Sequence, residues 1–145
     1  MDTVAHLATI DLLRARPFPS RRGRAALVES GPGFHIAGLR VSEEFWDADP
    51  TRVLEVQEEF ESELRVLVQT LTRRWGEPEV LQLLDHLERS AMGRPVPAPL
   101  DTLCGYVPEL YAWRIDNRWV GLGLGQGGRE LPFQLVVAIG EEDVR

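Results

Sequence analysis

Lysine is absent from this chain, and cysteine occurs once, as Cys104. Without lysine there is no phosphate loop of the Gly-Lys-Ser/Thr kind. A single thiol excludes an intrachain disulfide and a thiolate metal cluster, and both absences fit a reducing compartment. Histidine is scarce as well. His6, His35 and His86 lie far apart, and none has a second histidine at i+3 or i+4, so the helical metal pair is missing. No run approaches the ~20 apolar residues of a membrane span. The first residues carry Asp2, His6 and Asp11 among the apolar positions, without the charged start and apolar core of a secretory signal. The expectation is a cytoplasmic protein. The all-arginine basic set, with heavy use of Ala, Gly, Pro, Val and Leu, reads as the codon bias of a GC-rich, bacterial genome.

What is present is an ordinary globular composition. Of 145 residues, 43% are hydrophobic and 27% charged, which argues against disorder of the whole chain. A chain of this length buries roughly 70% of its unfolded surface, so residues 1–145 read as one self-supporting domain. The net charge of −7 argues against non-specific binding to nucleic acid or anionic membrane. That charge is unevenly spread. Arg14, Arg16, Arg21, Arg22 and Arg24 form an acid-free basic stretch, whereas residues 43–63 hold nine acids and one base, Arg52.

The pattern predicts an α+β fold. Val4–Leu13 suits a short helix capped by Asp2 or Thr3, with a strand as the alternative, and Pro17 and Pro19 end it. Pro17–Arg24 reads as a basic surface loop. Ala25–Glu29 and Phe34–Val41 flank Ser30-Gly31-Pro32-Gly33, turn chemistry that predicts a β-hairpin. The clearest element starts after Asp49, a good N-cap followed by Pro50 at the first helical position. Val53, Val56, Phe60, Leu64, Leu67, Leu71 and Trp75 keep one face of a long helix toward a core, and Gly76 can end it. Val80, Leu83, Leu84 and Leu87 repeat the helical spacing and predict a second helix, with Asp85–Arg89 as an i,i+4 pair. Arg94–Pro99 is a proline-rich connector. Tyr111–Ile115, Trp119–Gly125 and Phe133–Ile139 read as a C-terminal three-stranded antiparallel meander, turned at Asp116-Asn117. The acidic tail Glu141-Glu142-Asp143 should be solvated.

Several motifs invite chemistry. Gly123-Leu124-Gly125-Gln126-Gly127-Gly128 matches the dinucleotide fingerprint, but an apolar β-branched run follows where a helix N-terminus is needed, so it reads as a glycine-rich turn. Asp47 and Asp49 could pair on a metal, though capping explains Asp49 alone. No serine lies in a Gly-x-Ser-x-Gly elbow. No cofactor-binding pattern is left.

The acidic helix stands out. Glu55, Glu59 and Glu63 recur at i, i+4 and i+8 beside Glu58, with only Glu61–Arg65 as a favourable pair. Like charges at this spacing cost about 0.2–0.5 kcal/mol per pair. The face is either solvated, or covered by the arginine-rich loop, or a docking surface for a basic protein partner. Trp46, just ahead of the helix, is then either an aromatic anchor of that surface or a staple on the first turn. The leading expectation is a protein-interaction module using Trp46, Glu55, Glu58, Glu59 and Glu63. In size, charge and class it resembles immunity proteins against toxins and small secretion chaperones. The alternative is a small-ligand module on the glycine-lined strand face, with Trp113, Trp119, Gly121 and Gly123. A third is an enzyme with a dispersed site drawing on His35, His86 or Cys104.

Overall fold

A computed structural model describes residues 2–141. Helix α1 (Thr3–Ala15) opens the chain, its first turn capped by the Asp2 carboxylate, which accepts from the Ala5 N–H. Strands β1 (Gly23–Ala25), β2 (Val28–Gly31) and β3 (Phe34–Val41) follow, then helix α2 (Pro50–Trp75). Strand β4 (Glu79–Gln82), helix α3 (Leu84–Ala91) and the single turn α4 (Leu100–Leu103) lead to β5 (Glu109–Ile115), β6 (Arg118–Gln126) and β7 (Phe133–Gly140). The predicted meander is present, and so is the hairpin, with its first arm moved to Val28–Gly31: Ala25 ends β1, and Ser30 and Gly31 pair with His35 and Phe34 instead of turning. They are also joined: β3 pairs antiparallel with β7, and a seven-stranded sheet results in the order β1-β2-β3-β7-β6-β5-β4.

The turns follow residue chemistry. Asp116 and Asn117 both hold positive φ (52° and 67°), the conformation of a two-residue hairpin matched to strand twist. Asp49 caps α2 through the Thr51 N–H at 2.9 Å, and Gly76 ends it at φ 92°, where a Cβ would be strained.

Two sequence expectations are corrected. Val80 does not lie in the second helix; it sits in β4, opposite Tyr111 of β5. Pro78 biases Glu77 toward extended backbone, and the free edge of β5 then captures the next four residues as a strand. The remaining helix is short, and Asp85 and Arg89 form no ion pair in it. The basic loop is shorter than read, because Gly23 and Arg24 enter β1.

Strand alternation sorts the core into two layers. On one face Trp113, Val120, Leu122, Leu135, Val137 and Ile139 meet α1 and α2 through Ile10, Leu13, Phe60, Leu67 and Leu71. On the other, Phe34, Ile36, Leu110, Trp119, Val136 and Ala138 are covered by Leu83, Leu100, Leu103 and Val107. Leu83, just ahead of α3, and the segment between α3 and β5 thus form the lid of the second layer.

Candidate interaction surface

The acids of α2 divide into two groups that sequence spacing could not separate. Glu63 is only 2% exposed and lies within the buried stripe Val56, Phe60, Leu67 and Leu71. It is therefore no part of an exposed acidic face, and its assignment to partner binding is corrected. Burial alone would raise its carboxyl; hydrogen bonds and charge from Arg40 and His6 outweigh that and hold it below the usual carboxylate range. Arg40 donates to Glu63 Oε2 at 2.7 Å and to Glu59 at 3.2 Å, and its guanidinium lies 4.4 Å from the Phe60 ring centre. The buried His6 of α1 completes the site, its Nε2 3.0 Å from Glu63 Oε1. An ionised Glu63 can only accept, so His6 Nε2 donates.

A bulge makes this arrangement possible. Gly38 pairs with Val136 and Arg40 with Leu135, leaving Leu39 as the extra residue. Unbroken alternation would have turned Arg40 to the far side of the sheet. With the bulge it faces α2.

The exposed acids are served sparingly. Arg52 binds Glu43 at 2.7 Å and reaches Glu55 at 3.8 Å; Arg40 serves Glu59. Glu44, Asp47, Glu58 and Glu61 have no cationic partner among the described residues. The predicted Glu61–Arg65 pair does not form; Glu61 accepts from Gln57 instead, at 3.0 Å. The arginine-rich loop does not cover this face. Arg22 binds Asp101, Glu29 and Thr102 and stacks 5.1 Å from Phe34, on the opposite layer. Arg14 binds Asp11 and Asp116.

Trp46 is 62% exposed, and its indole N–H donates to Glu44 at 2.8 Å. Its neighbour Phe45 is the residue that enters the core, its ring centre 5.5 Å from that of Phe133 in an edge-on arrangement. Trp46 therefore points outward among carboxylates rather than stapling the helix.

The residues of the small-ligand alternative do not form one site. Trp113 and Trp119 lie on opposite faces of the sheet, both buried. Trp113 donates to the Gly76 carbonyl at 2.8 Å. The glycine face is filled by the chain itself. A Cβ on Gly123 would stand 2.6 Å from Val107, one on Gly125 2.6 Å from Tyr106, and one on Gly121 3.1 Å from Trp119. The glycine-rich run leads into strand β7, with no helix end for a pyrophosphate.

Of the three dispersed-site candidates, Cys104 and His35 are packed, and His86 on α3 is half-buried with no hydrogen-bond partner for its Nδ1 among the described residues. Cys104 is buried, its thiol raised first by burial and then by Asp101. His35 is buried between Ser30 Oγ at 2.6 Å and the Arg16 carbonyl at 3.2 Å, with Phe18 against its ring; burial lowers its pKa. Among the described residues no cluster of three or more His, Cys, Asp or Glu is placed to hold a metal, and no helix is long and apolar enough to cross a membrane.

Comparison with known proteins returns no matching family model, curated protein or solved structure.

One feature went unread in the sequence. A groove of about 960 Å³ runs beside the acidic helix. Leu64 and Val68 of α2 form one wall and Leu84 and Leu87 of α3 the other, over a floor of Tyr111, Leu124 and Phe133. Leu84 and Leu87 are 60% and 42% exposed, and α3 buries no residue at all. The sequence signal was there: two leucines three apart on a helix too short to carry a core stripe.

Proposed function

We propose that this protein is a protein-interaction module that docks a basic partner through the exposed acids and Trp46 at the N-terminal half of α2. The observation that carries the reading is the fate of the arginine-rich loop. Arg22 of the loop binds Asp101 and Glu29, and Arg14 of α1 binds Asp11 and Asp116, so neither reaches the acidic helix; Arg52 and Arg40 meet Glu43, Glu55 and Glu59, and Glu44 and Glu58 are left without a cation among the described residues. Uncompensated charge of one sign steers association and rejects like-charged partners. An exposed tryptophan at the edge of such a patch is the residue type that most often anchors an interface. Inhibitor or immunity proteins and secretion chaperones both work this way, by capturing another chain without chemistry. The contributing residues are Trp46, Glu44, Glu55, Glu58 and Glu59; Glu63 serves the fold instead.

Affinity capture of the tagged chain from its native lysate, followed by quantitative mass spectrometry, tests this. A basic protein should be recovered with the unaltered chain and lost with E44R/E55R/E58R, the circular dichroism spectrum being the same. Recovery indifferent to these reversals removes the acidic face from the account.

A further inference from the structure

We infer that the groove between α2 and α3 receives an amphipathic helix whose apolar stripe is flanked by basic residues. The inference rests on the interaction reading above and names the segment of the basic partner that would be held. Helix-in-groove recognition needs two apolar walls and an apolar floor open along one axis. Leu64 and Val68 stand one turn apart on α2, and Leu84 and Leu87 share a side of α3. Both α3 leucines are exposed, Leu84 the more so, on a helix that buries no residue in either core layer. An apolar stripe held there on a folded helix is placed for something outside the chain.

The rim favours a helix over a small molecule. Gln57, Glu61, Arg65 and Gln69 line the α2 side at every fourth position, so the polar groups form a row along the groove. A small-ligand pocket instead converges a few polar groups on one point. The rim also selects charge. Glu61 is held by the amide of Gln57, and Glu109 by Gln82 at 3.0 Å and the Tyr111 hydroxyl at 3.4 Å. All three donors are neutral, so neither carboxylate is paired with a cation among the described residues. Arg65 is the one cation of the rim, and it has no carboxylate partner among the described residues. It works against a basic helix, which gives the proposal a sign that can be tested.

The probe is a fluorescein-labelled leucine/lysine peptide about 18 residues long, patterned as an amphipathic helix. It is compared with its scrambled isomer and with a leucine/glutamate counterpart, by anisotropy against the full chain. The patterned basic peptide should bind at least about tenfold more tightly than the scrambled one. L84Q/L87Q should remove that advantage, E61Q/E109Q should weaken binding severalfold, and R65E should tighten it. Glu61, Arg65, Leu84 and Leu87 are exposed and Glu109 is half-buried, and circular dichroism checks folding. Equal binding of the scrambled peptide, or indifference to L84Q/L87Q, overturns the proposal, since charge alone would then suffice. Preference for the acidic peptide overturns it too. Sedimentation that reveals self-association lost in L84Q/L87Q assigns the groove to a second copy instead, and preferential uptake of a fluorescent fatty acid assigns it to a small apolar ligand. The two readings fail separately. E44R/E55R/E58R alters no groove residue, so peptide discrimination with unchanged capture retires only the acidic face, whereas capture lost without peptide discrimination retires only the groove.

Discussion

Helices α2 and α3 both carry apolar residues at helical spacing, and the fold treats them in opposite ways. In α2 the stripe Val56, Phe60, Leu67 and Leu71 is closed on the sheet, and even its one charged member, Glu63, is wrapped by Arg40 and His6. In α3 Leu84 and Leu87 stay open, and the helix is anchored at its start by Leu83, which enters the second layer. Periodicity reports amphipathicity alone; what the apolar side meets depends on which surface the chain delivers it to. The long helix spans the sheet, so its stripe must be buried. The short one hangs from an edge strand and ends in a proline-rich connector, so its stripe forms the wall of a groove.

The largest test of that contrast is truncation in each stripe. Phe60 is fully buried, and Phe60→Ala should destabilise the fold by about 3–5 kcal/mol through lost transfer energy and the cavity left behind. Denaturant unfolding measures this directly. A loss below ~1 kcal/mol would mean that α2 is not the closed helix described.

A smaller effect is expected at Glu63. Glu63→Gln keeps the shape but removes the charge that Arg40 and His6 both address. Because Arg40 is 40% exposed and can turn to water, the expected loss is about 1–3 kcal/mol rather than the larger penalty of a sealed pair. The pH dependence has a definite sign. The folded carboxyl lies below its unfolded value, so its contribution is complete at neutral pH. It is lost as pH falls through the acid range of a carboxylate, near and below about 4. Stability of the Glu63→Gln variant should fall less steeply there, and parallel acid-unfolding curves would refute the arrangement. His35 adds a second window by the same logic. Its folded pKa is lowered by burial, so its contribution is present above the unfolded value of about 6.5 and is lost as pH drops below that. His35→Phe should flatten the slope between neutral and mildly acidic pH.

On the other sheet face, Gly123→Ala should cost about 1–3 kcal/mol, because the new Cβ would press on Val107 and on the Glu109 carbonyl at 2.9 Å. If it were silent, the glycine face would be looser than its packing, and the small-ligand alternative would regain its site.

These residues also measure how far the sequence could be read. The caps of α2, the two-residue turn at Asp116-Asn117 and the alternation of the meander each depend on neighbours in the chain, and all were legible. Glu63 was not, because its burial depends on a bulge at Gly38 that turns Arg40 around and on a histidine 57 residues away. Val80 was misread for a similar reason: helical spacing and an open strand edge competed, and the edge won. The glycines at 121, 123 and 125 correctly announced a close neighbour, and the structure supplies it from Tyr106, Val107 and Leu110. The groove depended on two elements meeting across the sheet end, which no local pattern encodes.

The smallest expected effect is the one on which the contrast turns. Leu87→Gln should leave stability within about 0.5 kcal/mol, as exposed substitutions generally do. Leu87 is 42% exposed, so the fold recovers only part of its transfer energy, and a glutamine can keep the stem contacts while its amide reaches water. A measured loss of 2 kcal/mol or more would place Leu87 in a core and close the groove. α3 would then be a second α2, buried for stability, and the binding role given to its leucines would pass back to the acids and Trp46 alone. A silent substitution that nonetheless abolishes preference for a basic amphipathic peptide separates the two helices by function as well as by burial.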